Sequence, residues 1–185
     1  MNATLDRRQQ KTRAALHAAF RDLLLEQGYE ALRIGDVAAR ANVGRSTFYE
    51  HYRTMDDLLR ASLRGPFATL AGLVEAPHTP DAMRALGPLL QHFRDNQQVA
   101  RVLLGWPTRA VLASSLADLV AGRLHTIPLA RPVIPLELIA RQIAEMQLAL
   151  LDAWIAGRPA FDMHAAIDAL SRGAPAVVQA LLASE

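Results

Sequence analysis

Residues 28–59 read GYEALRIGDVAARANVGRSTFYEHYRTMDDLL, two short helical patterns on either side of the break Ala41-Asn42-Val43-Gly44. Val37 and Ala38 with Ala41 are apolar at helical spacing and predict a first helix over about 34–41. Asn42 tolerates the left-handed backbone that would end it. A second helix begins near Arg45, with Phe48 on its buried side and Gly44 and Tyr52 one turn away on that side. At about 100° per residue, Ser46, Thr47, Tyr49, Glu50 and Arg53 project the other way. Hydroxyls and charges of this kind meet phosphates and base edges, so the pair reads as a helix-turn-helix and double-stranded DNA is the expected partner.

The flanks of this stretch extend the pattern. Lys11 to Gln27 is an amphipathic helix with Leu16, Phe20, Leu23 and Leu24 on one face, and Gly28 ends it. Thr54, followed three residues later by Asp57, resembles a capping box with Asp in place of Glu, and it opens a further helix through Leu58, Leu59 and Leu63. Arg7, Arg8, Lys11 and Arg13 precede the apolar face of the first helix; they read either as an arm touching the DNA backbone or minor groove, or as a solvated terminus.

The run Thr47-Phe48-Tyr49-Glu50-His51-Tyr52-Arg53 resembles the TetR family of bacterial transcriptional regulators, whose pattern there is Thr, apolar, Tyr, variable, His, aromatic, basic. The likeness covers about the first third of the chain and extends to Gly28-Tyr29 and Asp56-Asp57-Leu58-Leu59. It implies that Thr47 and Tyr49 bond the DNA backbone or base edges, that His51 approaches a phosphate, and that Arg45, Ser46 and Glu50 sit where family members read bases. Glu50 either accepts from a cytosine amino group or turns sideways to pair with Arg53 or Arg45. Two positions depart from the family pattern. Arg33 stands where Thr or Ser usually caps the first motif helix; it can neutralise a phosphate but cannot cap in the same way. Met55 stands where a lysine is common, leaving Arg53 to take part of that phosphate contact.

Composition narrows the remaining classes. In 185 residues, 51% hydrophobic and 21% charged content excludes a disordered tail protein, and zero cysteines exclude disulfide frameworks, cysteine-ligated zinc and thiol catalysis. The start, MNATLDRRQQK, lacks the apolar core of a signal peptide and no run of about 20 uncharged apolar residues occurs, so a soluble, cytoplasmic protein with no membrane partner is expected. The Asn2-Ala3-Thr4 sequon means little in that compartment. The net charge of +2 is distributed unevenly: residues 1–64 hold 11 Lys or Arg against 8 Asp or Glu, or +3, and residues 65–185 hold 9 against 10, or −1. That modest excess suits docking by a dimer at a specific site better than adhesion to any DNA.

Beyond Gly65-Pro66 the chain reads as long helices punctuated by proline, at about 67–75, 80–94, 96–104, 108–124, 135–156 and 160–183, with no strand alternation. The fold class is therefore all-α, with a helix-turn-helix domain over 1–64 and a helical effector-binding and dimerisation domain over 65–185. Glu137, Arg141 and Glu145 form a narrow wet stripe on a helix otherwise dominated by apolar residues, and the last helix is similarly rich in them. Leu138, Met146, Leu150, Trp154, Leu170, Val177, Val178 and Leu181 are the expected dimer contacts, in keeping with the four-helix interface that the resemblance implies; the alternative is a monomeric core. The resemblance also implies a small effector, for which Gln91, His92, Phe93, Trp106 and Met146 are the candidate lining, with an apolar molecule favoured and ordinary packing as the plainer reading. No cofactor or metal is expected, and no enzyme: there is no Gly-rich phosphate loop, Ser elbow or His-Glu-x-x-His, and His164 with Asp168 reads as a pair on a solvated face. A protein that binds DNA without any effector remains the rival.

Overall fold

In the computed structural model, which describes residues 2–75, 80–128 and 131–182, every regular element among those residues is helical. Two compact units divide the chain between Leu63 and Arg64. The first holds α1 (Asn2–Gln27), α2 (Ile34–Arg40), α3 (Arg45–His51) and the start of α4 (Met55–Gly72). Its core is Leu16, Phe20, Leu23 and Leu24 of α1 with Leu32, Val37, Ala38, Phe48, Tyr52, Leu58, Leu59 and Leu63, all buried. These are the positions at which apolar residues recur every three or four, so burying one stripe per helix closes the core.

Gly28 ends α1 with a φ of 76°, a backbone state that costs glycine nothing, and its N–H bonds the Leu24 carbonyl at 3.0 Å. Asn42, at φ 54°, turns the chain between α2 and α3, and the following Val43 N–H returns to the Ala38 carbonyl at 2.9 Å. The box at α4 forms in both directions. Thr54 N–H donates to Asp57 Oδ2 at 3.0 Å, while Asp57 N–H donates to Thr54 Oγ1 at 3.1 Å.

Two expectations about boundaries are corrected. α1 is helical from Asn2, so Arg7, Arg8, Lys11 and Arg13 lie on a helix and not on an extended arm; Leu, Arg, Gln, Lys and Ala fill this segment and no Gly or Pro interrupts it. The sequon's side chains lie outside the described ones. Gly65-Pro66 does not break the chain either, because α4 runs through it to Gly72. Proline removes one backbone donor, yet Phe67 and Leu70, just beyond it, are buried in the second unit, and that burial outweighs the lost bond.

The second unit contains the rest of α4 with α5 (Pro80–Asp95), α6 (Gln97–Leu104), α7 (Thr108–Leu124), α8 (Leu136–Ala156) and α9 (Met163–Ala180). α8 packs chiefly on α7 and then on α9; α5 also meets α9, and α6 meets α7 and α8. Leu112, Leu116, Val120, Ile139, Ile143, Leu148, Leu151, Leu170 and Ala174 are buried there. Gln147 is fully buried within this apolar interior, donating Nε2 to the Leu70 carbonyl at 3.0 Å and leaving Oε1 unpaired. The last helix is shorter than expected, spanning Met163 to Ala180: Asp162 caps it by accepting from Ala165 N–H at 2.8 Å. Leu181 and Leu182 follow it and Ala183 is outside the described residues.

Candidate nucleic-acid interface

α3 is anchored from behind by aromatic packing. Phe48 is fully buried and meets Tyr52 edge-on at 5.9 Å between ring centroids. Tyr52, also buried, shares a hydrogen bond of 2.9 Å with His17 Nε2, which ties α3 to α1. Burial, with a smaller contribution from the Arg13 charge, holds the His17 imidazole below its usual value, and burial raises the Tyr52 phenol. A second tie runs from the Tyr29 hydroxyl to the Asp56 carboxylate; burial first, and that carboxylate next, hold the phenol well above its ordinary range, so it stays a donor. Arg40 and Glu26 join α2 to α1 through two bonds of 2.8 Å, an exposed fork pair in which each partner favours the charged form of the other.

With its back fixed, α3 presents Arg45, Ser46, Tyr49 and Glu50 to solvent, and Arg53 follows them, exposed, just beyond the helix. Tyr49 is 56% exposed, a large value for an aromatic side chain on a packed helix. Thr47 and His51 are half-buried at the edges of this face. Among the described residues Glu50 makes no ion pair with Arg45 or Arg53, so the sideways pairing is absent. Arg33 precedes α2 without a side-chain cap; its Nη1 donates instead to the Glu30 and Leu32 carbonyls at 2.8 and 3.0 Å. An open recess of about 410 Å³ lies beside it, lined by Leu32, Arg33, Ile34, Gly35, Arg45, Tyr49 and Met55. The arrangement offers hydroxyls, the three guanidiniums of Arg33, Arg45 and Arg53 and one carboxylate, which is donor and acceptor chemistry for a nucleic-acid backbone and for base edges. Gly35 and His17 belong to this region too, and no mark in the sequence separates them from ordinary helix residues.

The expected residues of the second unit do not form comparable groups. Gln91 and His92 are exposed and engage their own helix or its end, Gln91 with Asp95 at 2.7 Å and His92 through its carbonyl with Asn96 Nδ2 at 2.9 Å. Phe93 is buried, whereas Trp106 is 84% exposed, and Met146 lies half-buried against Gly173. In the single chain Gln91, His92 and Trp106 thus face solvent while Phe93 faces the interior. Of the expected dimer contacts, Trp154, Leu170 and Val178 are buried within the single chain, and Trp154 also lies beneath the Arg94 guanidinium at 4.7 Å. Leu138 is 54% exposed, and Met146, Leu150, Val177 and Leu181 are half-buried. His164 and Asp168 do not stand as a pair; Asp168 bonds Arg172 at 2.7 Å. Among the described residues no three metal-ligating side chains cluster, and no helix is long and apolar enough to cross a membrane.

Known proteins agree with this geometry. Residues 15–62 match the family model described as bacterial regulatory proteins, tetR family. An HTH-type transcriptional regulator, YxbF of Bacillus subtilis (strain 168), is 30% identical over 128 residues, which are 65% of this chain and 34% of that protein; the match thus spans about a third of the relative's length. Among solved structures, a TetR transcriptional regulator from Streptococcus agalactiae 2603V is 27% identical with a TM-score of 0.55, the alignment covering 92% of this chain and 97% of that one. A TetR-family regulator from Streptomyces coelicolor A3 shares the fold at 19% identity and a TM-score of 0.64, over 92% of this chain and 96% of that one. With its helix-turn-helix in α2 and α3 and the match extending from α1 into α4, residues 15–62 form a domain of the tetR family of bacterial regulatory proteins, and the chain as a whole is similar in fold to regulators of that family.

Proposed function

We propose that this helix-turn-helix regulator is a repressor that binds a near-palindromic operator as a homodimer and is released by a small, apolar effector. Residues 1–64 serve as the DNA-binding domain and residues 65–185 as the effector-binding and dimerisation domain. The observation that carries the reading is the exposed side of α3 and its flank, where the side chains of Ser46, Glu50 and Arg53 and the hydroxyl of Tyr49 have no hydrogen-bond or ion-pair partner among the described residues while Phe48 and Tyr52 hold the helix in place. Arg33, Arg45, Thr47 and His51 border that surface and complete the DNA-contacting set. A two-fold pair would place two such helices about 34 Å apart, one helical turn of DNA. Leu138, Met146, Leu150, Val177 and Leu181 are the residues left to form the contact between copies. An effector that prefers the state unable to meet both half-sites lowers DNA affinity by the same coupling free energy that DNA exerts on effector binding. The protein then works in the cytoplasm, beside its DNA, and performs no chemistry of its own.

The test is operator affinity. A duplex selected by the unaltered protein from a randomised pool should bind Tyr49→Phe and Thr47→Ala more weakly by about 5- to 150-fold, since each hydrogen bond to DNA that is removed is worth about 1–3 kcal/mol. Unchanged affinity in both variants removes α3 as the reading surface. A second reading, in which the protein has no effector and its second domain only dimerises or holds a protein partner, is favoured by the scattered surroundings of Gln91, His92, Phe93 and Trp106. Thermal-shift screening with apolar compounds, coupled to operator release, separates the two; no compound that moves both would favour the second.

A further inference from the structure

Gly35 and Arg45 meet across the helix-turn-helix. A Cβ built on Gly35 would stand 2.4 Å from Arg45 Nη2, closer than real Cβ atoms come to any neighbour, and 3.0 Å from both Cζ and Nε. The Arg45 guanidinium therefore lies flat against α2, in space that exists only because residue 35 has no side chain. An arginine that reads guanine has to reach outward to O6 and N7 in the groove; this one is folded back. It arrives in the recess that also holds Arg33 and Tyr49, over an apolar floor of Leu32, Ile34 and Met55.

The hydrogen-bonding state of these groups fits an anion. Arg45 has no hydrogen bond or ion pair among the described residues, and Tyr49 has none through its hydroxyl, so their donors are unspent. Arg33 has committed Nη1 to two backbone carbonyls, neutral partners that fix its plane and leave its charge uncompensated. No carboxylate side chain lines the recess. Two uncompensated guanidiniums and a phenol around one opening are the donor set of a phosphate oxygen cluster.

We propose that this recess seats one phosphate of the DNA backbone, that Arg45 is a phosphate ligand and not a base reader, and that Gly35 is the positioning residue that holds it there. The proposal rests on the DNA-binding reading above and assigns base discrimination on α3 to Ser46 and Glu50. It also accounts for Met55 standing where a basic residue would otherwise meet the backbone: the charge comes from across the turn.

Gly35→Ala in the full chain tests it, because the atoms in its way are the far end of a flexible side chain, and Arg45 can swing out without disturbing the backbone. Alanine is the better helix former, so the melting temperature should hold or rise. On the duplex selected by the unaltered protein, affinity should fall by about 3- to 30-fold, and the slope of log K against log salt should shrink by about 0.9 for each phosphate no longer neutralised, about 1.8 in a dimer. Base preference should stay the same. Arg45→Ala should weaken binding equally, and the double variant should be no worse than Arg45→Ala alone. Relaxed preference at one base pair in Arg45→Ala, with the salt slope intact, would overturn the assignment, as would Gly35→Ala binding with unaltered affinity and slope. If the unaltered protein selects no duplex at all, the DNA reading itself fails and the seat with it.

Discussion

His17 shows how a single residue links this domain's packing to solution conditions. It bonds the Tyr52 hydroxyl at 2.9 Å, half-buried, with Arg13 near enough to disfavour a second positive charge. Its pKa in the folded chain is thus below the ordinary 6.5, while the unfolded chain keeps the ordinary value. The sign of the linkage follows. Above pH 6.5 both states are neutral there and stability is at its full level; as pH falls from 6.5 towards the lower folded value, the unfolded chain takes the proton first and stability is lost. Below the folded value the loss levels off. Urea unfolding of the unaltered protein and of His17→Gln at pH 7.5 and 5.5 isolates this contribution, since the other titrating groups are common to both. The unaltered protein should lose more stability on acidification than the variant; equal losses would show that His17 titrates alike in the folded and unfolded chains. Tyr52 sits directly behind the exposed side of α3, so the same protonation should loosen the DNA-facing helix before the domain unfolds.

Among the elements, α4 depends most visibly on a local device. Asp57 accepts from both Arg53 and Thr54 N–H groups, at 3.2 and 3.0 Å, just after the last DNA-facing residue. Asp57→Ala strips the partner from both donors and should cost about 0.5–2 kcal/mol of stability in chemical unfolding, with Asp57→Asn recovering part of it. A smaller effect would mean water serves those donors equally well. The box is legible in the sequence because its parts lie three residues apart, and so are α2, Asn42 and α3, whose spacing of Val37, Ala38 and Phe48 is itself the helical period. Distances along the chain of that order carry their own geometry. The course of α4 through Pro66 is not legible, because the local rule for proline points one way and burial of Phe67 and Leu70 another, and only the packed unit shows which is larger. For the same reason the sequence alone aims Arg45 into the groove: the vacancy that turns it aside belongs to Gly35, ten residues earlier. Nor does residue type alone distinguish Phe93, buried, from Trp106, exposed.

For the molecule as a whole, the decisive question is what covers the outer side of α8 and α9. Their inner sides are spent on the chain's own core, which takes Ile143, Leu148, Leu151, Trp154, Leu170, Ala174 and Val178. Small residues are among those left outside, Ala149 and Ala156 on α8 and Ala165, Ala169, Ala176 and Ala180 on α9; beside them Leu138 and the polar Arg141, Gln142, Asp152, Arg172 and Gln179 are exposed, and Met146, Leu150 and Val177 are half-buried. Small side chains let a second pair of helices approach closely, and the two helices already do so within one chain, where a Cβ on Gly173 would stand 2.9 Å from Met146 Cε. A homodimer through this face predicts a specific failure. Ala169→Arg with Ala176→Arg adds two long charged side chains, one per two turns, at positions the single chain leaves exposed, so the fold of each subunit should be preserved to within about 1 kcal/mol. Sedimentation at micromolar concentration should find the unaltered protein dimeric and the variant monomeric, with helical circular dichroism unchanged. Operator affinity should collapse as well, although no residue of α3 has been touched, because two half-sites held by one dimer become two independent and individually weak contacts. A variant that remains dimeric would place the contact on another face; an unaltered protein that sediments as a monomer would leave two-fold recognition of an operator without a physical basis.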